Sequence, residues 1–188
     1  MIRLGLMIAV VLAAVAGCSG PKSQYLVEPV ASELKLRTSL STVMVRTVSL
    51  PGYAAADDVA IQTEGGAVVK QKGALWADQP ERATTLTLAR NLTEILSAKV
   101  APEPWPLDGL PDAAVDVRVE RMLAANNGTF QLTGIYYIAG EARPLKGIAQ
   151  SFRIETPLAQ SGLTGIAAAQ AIAIRQLSEQ IAKDLARR

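Results

Sequence analysis

The first eighteen residues, MIRLGLMIAVVLAAVAGC, constrain the chain most. Arg3 is a short basic lead, and Leu4 to Ala16 carries no charge. A helix needs about 20 apolar residues to cross a bilayer, and this run falls short of that. The pattern is that of a secretory signal segment with a basic end, an apolar middle and small residues at its close. The fold must therefore be built from the residues after this segment, outside the cytoplasm.

The close of the segment is more specific. Val15-Ala16-Gly17-Cys18 fits the bacterial lipobox, in which small residues precede an obligatory cysteine. The Cys18 sulfur would take a diacylglyceryl group, and cleavage would follow before it. Residues 1–17 are then the signal peptide, and the mature chain starts at Cys18. Cys18 is the only cysteine, and it stands where this chemistry requires one. Each acyl methylene buried in a bilayer contributes about 0.8 kcal/mol, so two or more chains anchor stably. Ser19 follows, whereas Asp at that position is the proteobacterial signal for inner-membrane retention. The expected location is therefore a lipid anchor in the outer membrane, on the periplasmic side.

Composition removes several function classes. The 188 residues contain no histidine, so His-based triads, His general bases and His metal sites are excluded. A single cysteine forms neither an intrachain disulfide nor a cysteine metal cluster. Nineteen Lys and Arg face seventeen Asp and Glu, a net charge of +2, which argues against nucleic-acid binding by bulk charge. No Walker A loop is present, so the chain is not an ATPase. We expect no metal, no cofactor and no enzymatic activity. Asp57, Asp58, Asp78 and Glu81 have turn and cap roles open to them, and Ser23 and Ser161 have no histidine partner.

Residues 18–41 contain Pro21 and Pro29 with several polar residues, and they are expected to form a lipidated tether. Tyr25-Leu26-Val27 within it suits a short strand or a docking segment. About 20 extended residues would reach roughly 65–70 Å. The domain is expected over 42–188. Alternation in Thr42–Leu50 predicts a strand, ended by Pro51-Gly52. Two apolar runs, Val59–Gln62 and Ala67–Lys70, flank a Gly-containing loop and predict a hairpin. Asp78 with Glu81 predicts a capping box for a helix running to about Lys99, with Leu86, Ala89, Leu92, Leu96 and Val100 inward. After a proline-rich connection holding Trp105, three alternating segments predict an antiparallel meander: Ala114–Ala124, Thr129–Ala139 and Lys146–Thr156. Ile166, Ala167, Ile174, Leu177, Ile181 and Leu185 form the apolar stripe of a last helix, about Leu163–Ala186. The expectation is a single α+β domain, one mixed or antiparallel sheet with two amphipathic helices packed on it.

Ordered motifs along the mature chain resemble the PqiC-like ABC-type transport auxiliary lipoproteins. They are the Tyr25-Leu26 segment, Val48-Ser49-Leu50-Pro51-Gly52-Tyr53, Asp58–Gln62, and Trp76-Ala77-Asp78 before a helix. Gln79 intervenes before Pro80, a small departure from the Trp-Ala-Glu/Asp-Pro feature. The resemblance implies a periplasmic accessory subunit of an MCE (mammalian cell entry) lipid-transport system, working with an ABC permease and ATPase. The implied partner is the MCE-domain protein, and the implied role is docking in support of envelope integrity. The rival is a lipoprotein that assembles or stabilises another envelope complex without moving lipid. Tyr53, Trp76 and Tyr137 are the candidate partner-facing aromatics. For Tyr53 and Trp76 the competing role is to plug the end of the core. Tyr136 and Tyr137 point to opposite faces of one strand. An edge strand or exposed aromatic is also available for a homo-oligomer.

Overall fold

The computed structural model describes residues 22–188. The signal segment and the lipobox residues Val15, Ala16, Gly17 and Cys18 lie outside the described residues.

The strongest element is the meander. Strand β6 (Ala113–Ala124) pairs antiparallel with β7 (Thr129–Gly140), and β7 with β8 (Ile148–Pro157). Alternation puts Val115, Val117, Phe130, Leu132, Tyr136, Phe152 and Ile154 on one buried face. The Asn126-Asn127-Gly128 turn closes on Asn127 Oδ1, which accepts from the Thr129 amide (3.2 Å), and Gly128 supplies φ of 76°. Register shifts between Val119 and Arg121. Gly134 faces that irregularity, where an added Cβ would stand 2.2 Å from the Arg118 carbonyl oxygen. Only glycine lets the two backbones approach so closely.

The other half of the sheet is stitched from distant segments. Strand β2 (Thr42–Val45) lies parallel to both β6 and β5 (Lys99–Pro102). Strands β3 (Asp58–Gln62) and β4 (Val68–Trp76) form the expected hairpin, with β1 (Ser23–Tyr25) parallel to the end of β4. Helix α1 (Gly52–Ala55) is a single turn before β3. The long helices α2 (Pro80–Ile95) and α3 (Gly162–Leu185) pack together over the buried face of the sheet. The whole is a single α+β domain with an eight-stranded mixed sheet.

Three expectations change. Helix α2 ends at Ile95, not near Lys99, and Lys99–Pro102 is a strand. The incoming chain takes over the end of the helix: the Leu36 amide donates to Ile95 O (2.7 Å) and the Ser97 amide to Leu36 O (3.1 Å). The helix also begins without a capping box. Asp78 pairs with Arg82, and Glu81 accepts from the Leu50 amide (3.4 Å). Its inward face keeps Ala89, Leu92 and Leu96, as expected, but is broader and loses Leu86. Thr84, Thr85, Leu88, Asn91, Leu92 and Ile95 are buried, while Leu86 is 40% exposed. Burying Thr85 is tolerated because its Oγ1 donates to Glu81 O (2.7 Å) and accepts from the Val48 amide (2.9 Å).

The expected tether over 18–41 differs as well. Its described part, from Lys22, is bound to the domain. Strand β1 joins the sheet, Leu34 and Leu36 pack on the core, and Leu40 is buried. Apolar side chains spaced along this segment find partners on the helices, and that outweighs its prolines and polar residues.

Candidate functional site

From Tyr25 to Leu34 the chain forms a strap across the outer side of α3. Tyr25, Leu26 and Val30 lie along the small-residue face of Thr164, Ala167, Ala168 and Ala171. Small side chains on α3 let the strap backbone approach. Ser32 Oγ donates to Glu179 Oε1 (2.6 Å), and the same oxygen accepts from Arg175 Nη1 (2.7 Å). Further along, Lys35 Nζ donates to Glu94 O (2.6 Å) and Thr38 Oγ1 to Leu185 O (2.8 Å). The segment thus bonds to both long helices.

Between the strap and α2 lies an open apolar cleft of about 180 Å³. Trp76 forms its base, Leu26 and Val27 one wall, and Ala83 and Leu86 the other. Leu26 is 57% exposed, so the cleft carries apolar surface that the fold leaves wet. Asp78 stands at its rim, held by Arg82. Exposed apolar patches rimmed by polar groups mark binding sites.

The three aromatics singled out in the sequence divide into two places. Tyr53 and Trp76 line one small cavity with Met122, Phe130 and Ile166, and both pack against the core. The Tyr53 hydroxyl accepts from the Met122 amide (3.1 Å), beside the strand irregularity. Trp76 also reaches the open cleft, so it joins core and surface. Tyr137 lies on the opposite face of the sheet, where the Arg118 guanidinium stands 5.1 Å from its ring centre. Asp116 bonds Arg118 (3.0 Å) and raises its pKa above the ordinary range. The structure brings Tyr53 and Trp76 together and leaves Tyr137 apart.

Asp58, Asp78 and Glu81 have structural partners. Asp58 pairs with Lys70 (2.7 Å), and this bond holds its carboxyl below the usual carboxylate range. Among the described residues, no group of three or more His, Cys, Asp or Glu stands ready to hold a metal ion. The arrangement offers apolar area and shape, not proton transfer. Sequence reasoning missed Leu86, which it placed in the core, and the cleft that Leu86 lines. The available signal was the Tyr25-Leu26-Val27 segment, whose apolar residues need a surface to meet.

The family model of the ABC-type transport auxiliary lipoprotein component matches residues 25–182. The chain belongs to that family. This transport auxiliary lipoprotein has no match among the curated proteins. Two solved structures share its fold. One, an uncharacterized protein, superposes with a TM-score of 0.72 at 23% identity, covering 88% of this chain and 99% of its own. The other, XCC0632 from Xanthomonas campestris, gives a TM-score of 0.66 at 14% identity, covering 84% and 92%. The family match begins at Tyr25, so it takes in the strap as well as the sheet and helices.

Proposed function

We propose that this chain is the accessory lipoprotein of an MCE/ABC-type lipid-transport system. It is anchored through Cys18 on the periplasmic side of the outer membrane and docks to the MCE-domain subunit. The observation that carries the reading is the open apolar cleft on Trp76, present in a member of the transport auxiliary lipoprotein family. Such a cleft receives an apolar side chain or short segment of a protein partner, and its aromatic base suits a binding hot spot. The apolar stripes of both long helices are taken up by the core, which favours docking over carriage of lipid by this domain. Among the described residues no helix is long and apolar enough to cross a membrane. Membrane attachment in this reading falls to the Cys18 lipid.

Co-purification tests it. The chain is tagged at its C-terminus, extracted in mild detergent and analysed for bound proteins and lipids by mass spectrometry. An MCE-domain protein should come with the wild type and be depleted about tenfold or more with Leu86→Glu, which puts a charge into the apolar contact. Recovery of an unrelated envelope complex, with no MCE partner even after crosslinking, would overturn the assignment.

A further inference from the structure

At the other end of β4 from the cleft, two neighbouring valines on opposite faces of the edge strand are wet. Val68 and Val69 are 42% and 40% exposed. Strand β1 covers β4 only at Ala74–Trp76. Among the described residues, the stretch from Val68 to Gly73 on that side has no strand beside it. Open edges invite pairing with other chains, and lysines on them discourage it. Lys70 and Lys72 stand on this edge, both exposed. Lys22 lies near its upper end and acts with Lys70 on Asp58.

Chain length then fixes where the anchor can be. Lys22 is exposed and directly precedes β1, whose first residue pairs with Ala74. Cys18 precedes Lys22 by four residues. Four residues span at most about 14 Å. Val69 lies four strand residues from Gly73, about 13 Å along β4. The anchor and the open edge are thus within reach of each other, and a long tether no longer separates membrane from domain.

We propose that this edge is the chain's membrane contact. Val68 and Val69 touch the interfacial layer of the leaflet that holds the Cys18 lipid, and Lys22 and Lys72 face its headgroup phosphates, while Lys70 stays paired with Asp58. The inference rests on the lipidation of Cys18 in the proposed function. Two valines and two unpaired lysines would bind a bilayer weakly by themselves, but an attached lipid keeps the edge at high local concentration. The β4 backbone groups that no described strand pairs stay in the hydrated headgroup layer, because hydrocarbon would leave them unsatisfied. Because β4 bulges between Lys70 and Leu75, Val69–Leu75 faces only Ile61–Asp58 of β3, and the Trp76 end of the strand stands roughly 10 Å along the sheet from the membrane contact.

The test uses the full lipidated chain in vesicles of phosphatidylethanolamine and phosphatidylglycerol. Val69→Cys introduces the only free thiol, since Cys18 is acylated, and receives an environment-sensitive fluorophore. Arg153→Cys, on the far strand β8, is the control. Nitroxide lipids labelled near the headgroup should quench the Val69→Cys probe about twofold or more relative to the control. Adding Lys72→Glu should reduce that quenching. Equal quenching at both sites, with Cys18 acylated by intact mass, would overturn the membrane contact alone. A chain whose Cys18 carries no lipid would overturn the anchoring reading as well. A probe shielded without lipid quenching, increasingly so at higher protein concentration, would mean that the edge pairs with another strand, and would also overturn it.

Discussion

The β6–β7–β8 meander and the strap from Tyr25 to Leu34 belong to one domain but are held in different ways. The meander joins consecutive strands through long, nearly continuous ladders, and its pattern is written locally in alternating residues. The strap depends on a three-residue strand and on single bonds to residues far along the chain, Ser32 to Glu179 being 147 positions apart. Local, dense pairing makes a rigid platform. Sparse, distant bonds make a segment whose opening costs little of the global stability. The cleft lies at the seam of the two, with Trp76 on the sheet and Leu26 on the strap.

The largest effect should come from the platform. Phe130 is 1% exposed on β7, and Phe130→Ala should cost about 3–5 kcal/mol, read by urea denaturation. A loss below about 1 kcal/mol would mean that the meander is not the stable unit of the domain.

A smaller effect tests how the platform meets α3. The Tyr136 hydroxyl donates to Asp184 Oδ2 (2.6 Å), and its ring stacks on Phe152 at 6.3 Å. Burial raises the phenol pKa well above its ordinary value of 10.0, and the hydrogen bond to Asp184 raises it further. Below pH 10 the phenol is neutral in both folded and unfolded chains, so its contribution is fully present. Above that, the unfolded chain ionises first and stability falls as pH rises. Tyr136→Phe keeps the ring and loses the bond. It should cost about 1.5 kcal/mol at neutral pH and flatten the alkaline decline above about pH 10 in denaturation measured across pH. An unchanged alkaline slope would place the responsible group elsewhere.

The same contrast explains what was legible in the sequence. The meander, the hairpin and α3 follow from local alternation, turn residues and a helical stripe, so their order and the α+β class could be read directly. Strand β5 could not be, because the helix pattern runs on through Leu96 and Val100. What stops α2 is Leu36, which arrives from far earlier in the chain to bond Ile95 and Ser97. The extra breadth of the buried face of α2 is hidden for the same reason. Thr85 is inward only because the distant Val48 amide supplies a partner. Of the site, Trp76 and Tyr53 were visible as aromatics beside turns. Leu86 was hidden because no pattern within α2 reveals that a strap lies opposite it.

The smallest effect separates the two regions most directly. Ser32→Ala removes the bond to Glu179, while Glu179 keeps its contact with Arg175. Global stability should fall by only about 1 kcal/mol. The Leu34 amide, which donates to Ser32 Oγ (3.1 Å), loses its acceptor, and its hydrogen exchange should speed up about tenfold. The Ala77 amide, bonded to Tyr25 O (2.9 Å), should do the same if the strap opens as a unit. Amides of β6 and β7 should keep their rates apart from the small global change. Equal acceleration in the strap and the meander would show one cooperative unit and remove the distinction. Acceleration confined to Leu34, with Ala77 unmoved, would narrow the mobile unit to the α3 side and leave the Tyr25 end of the cleft part of the platform.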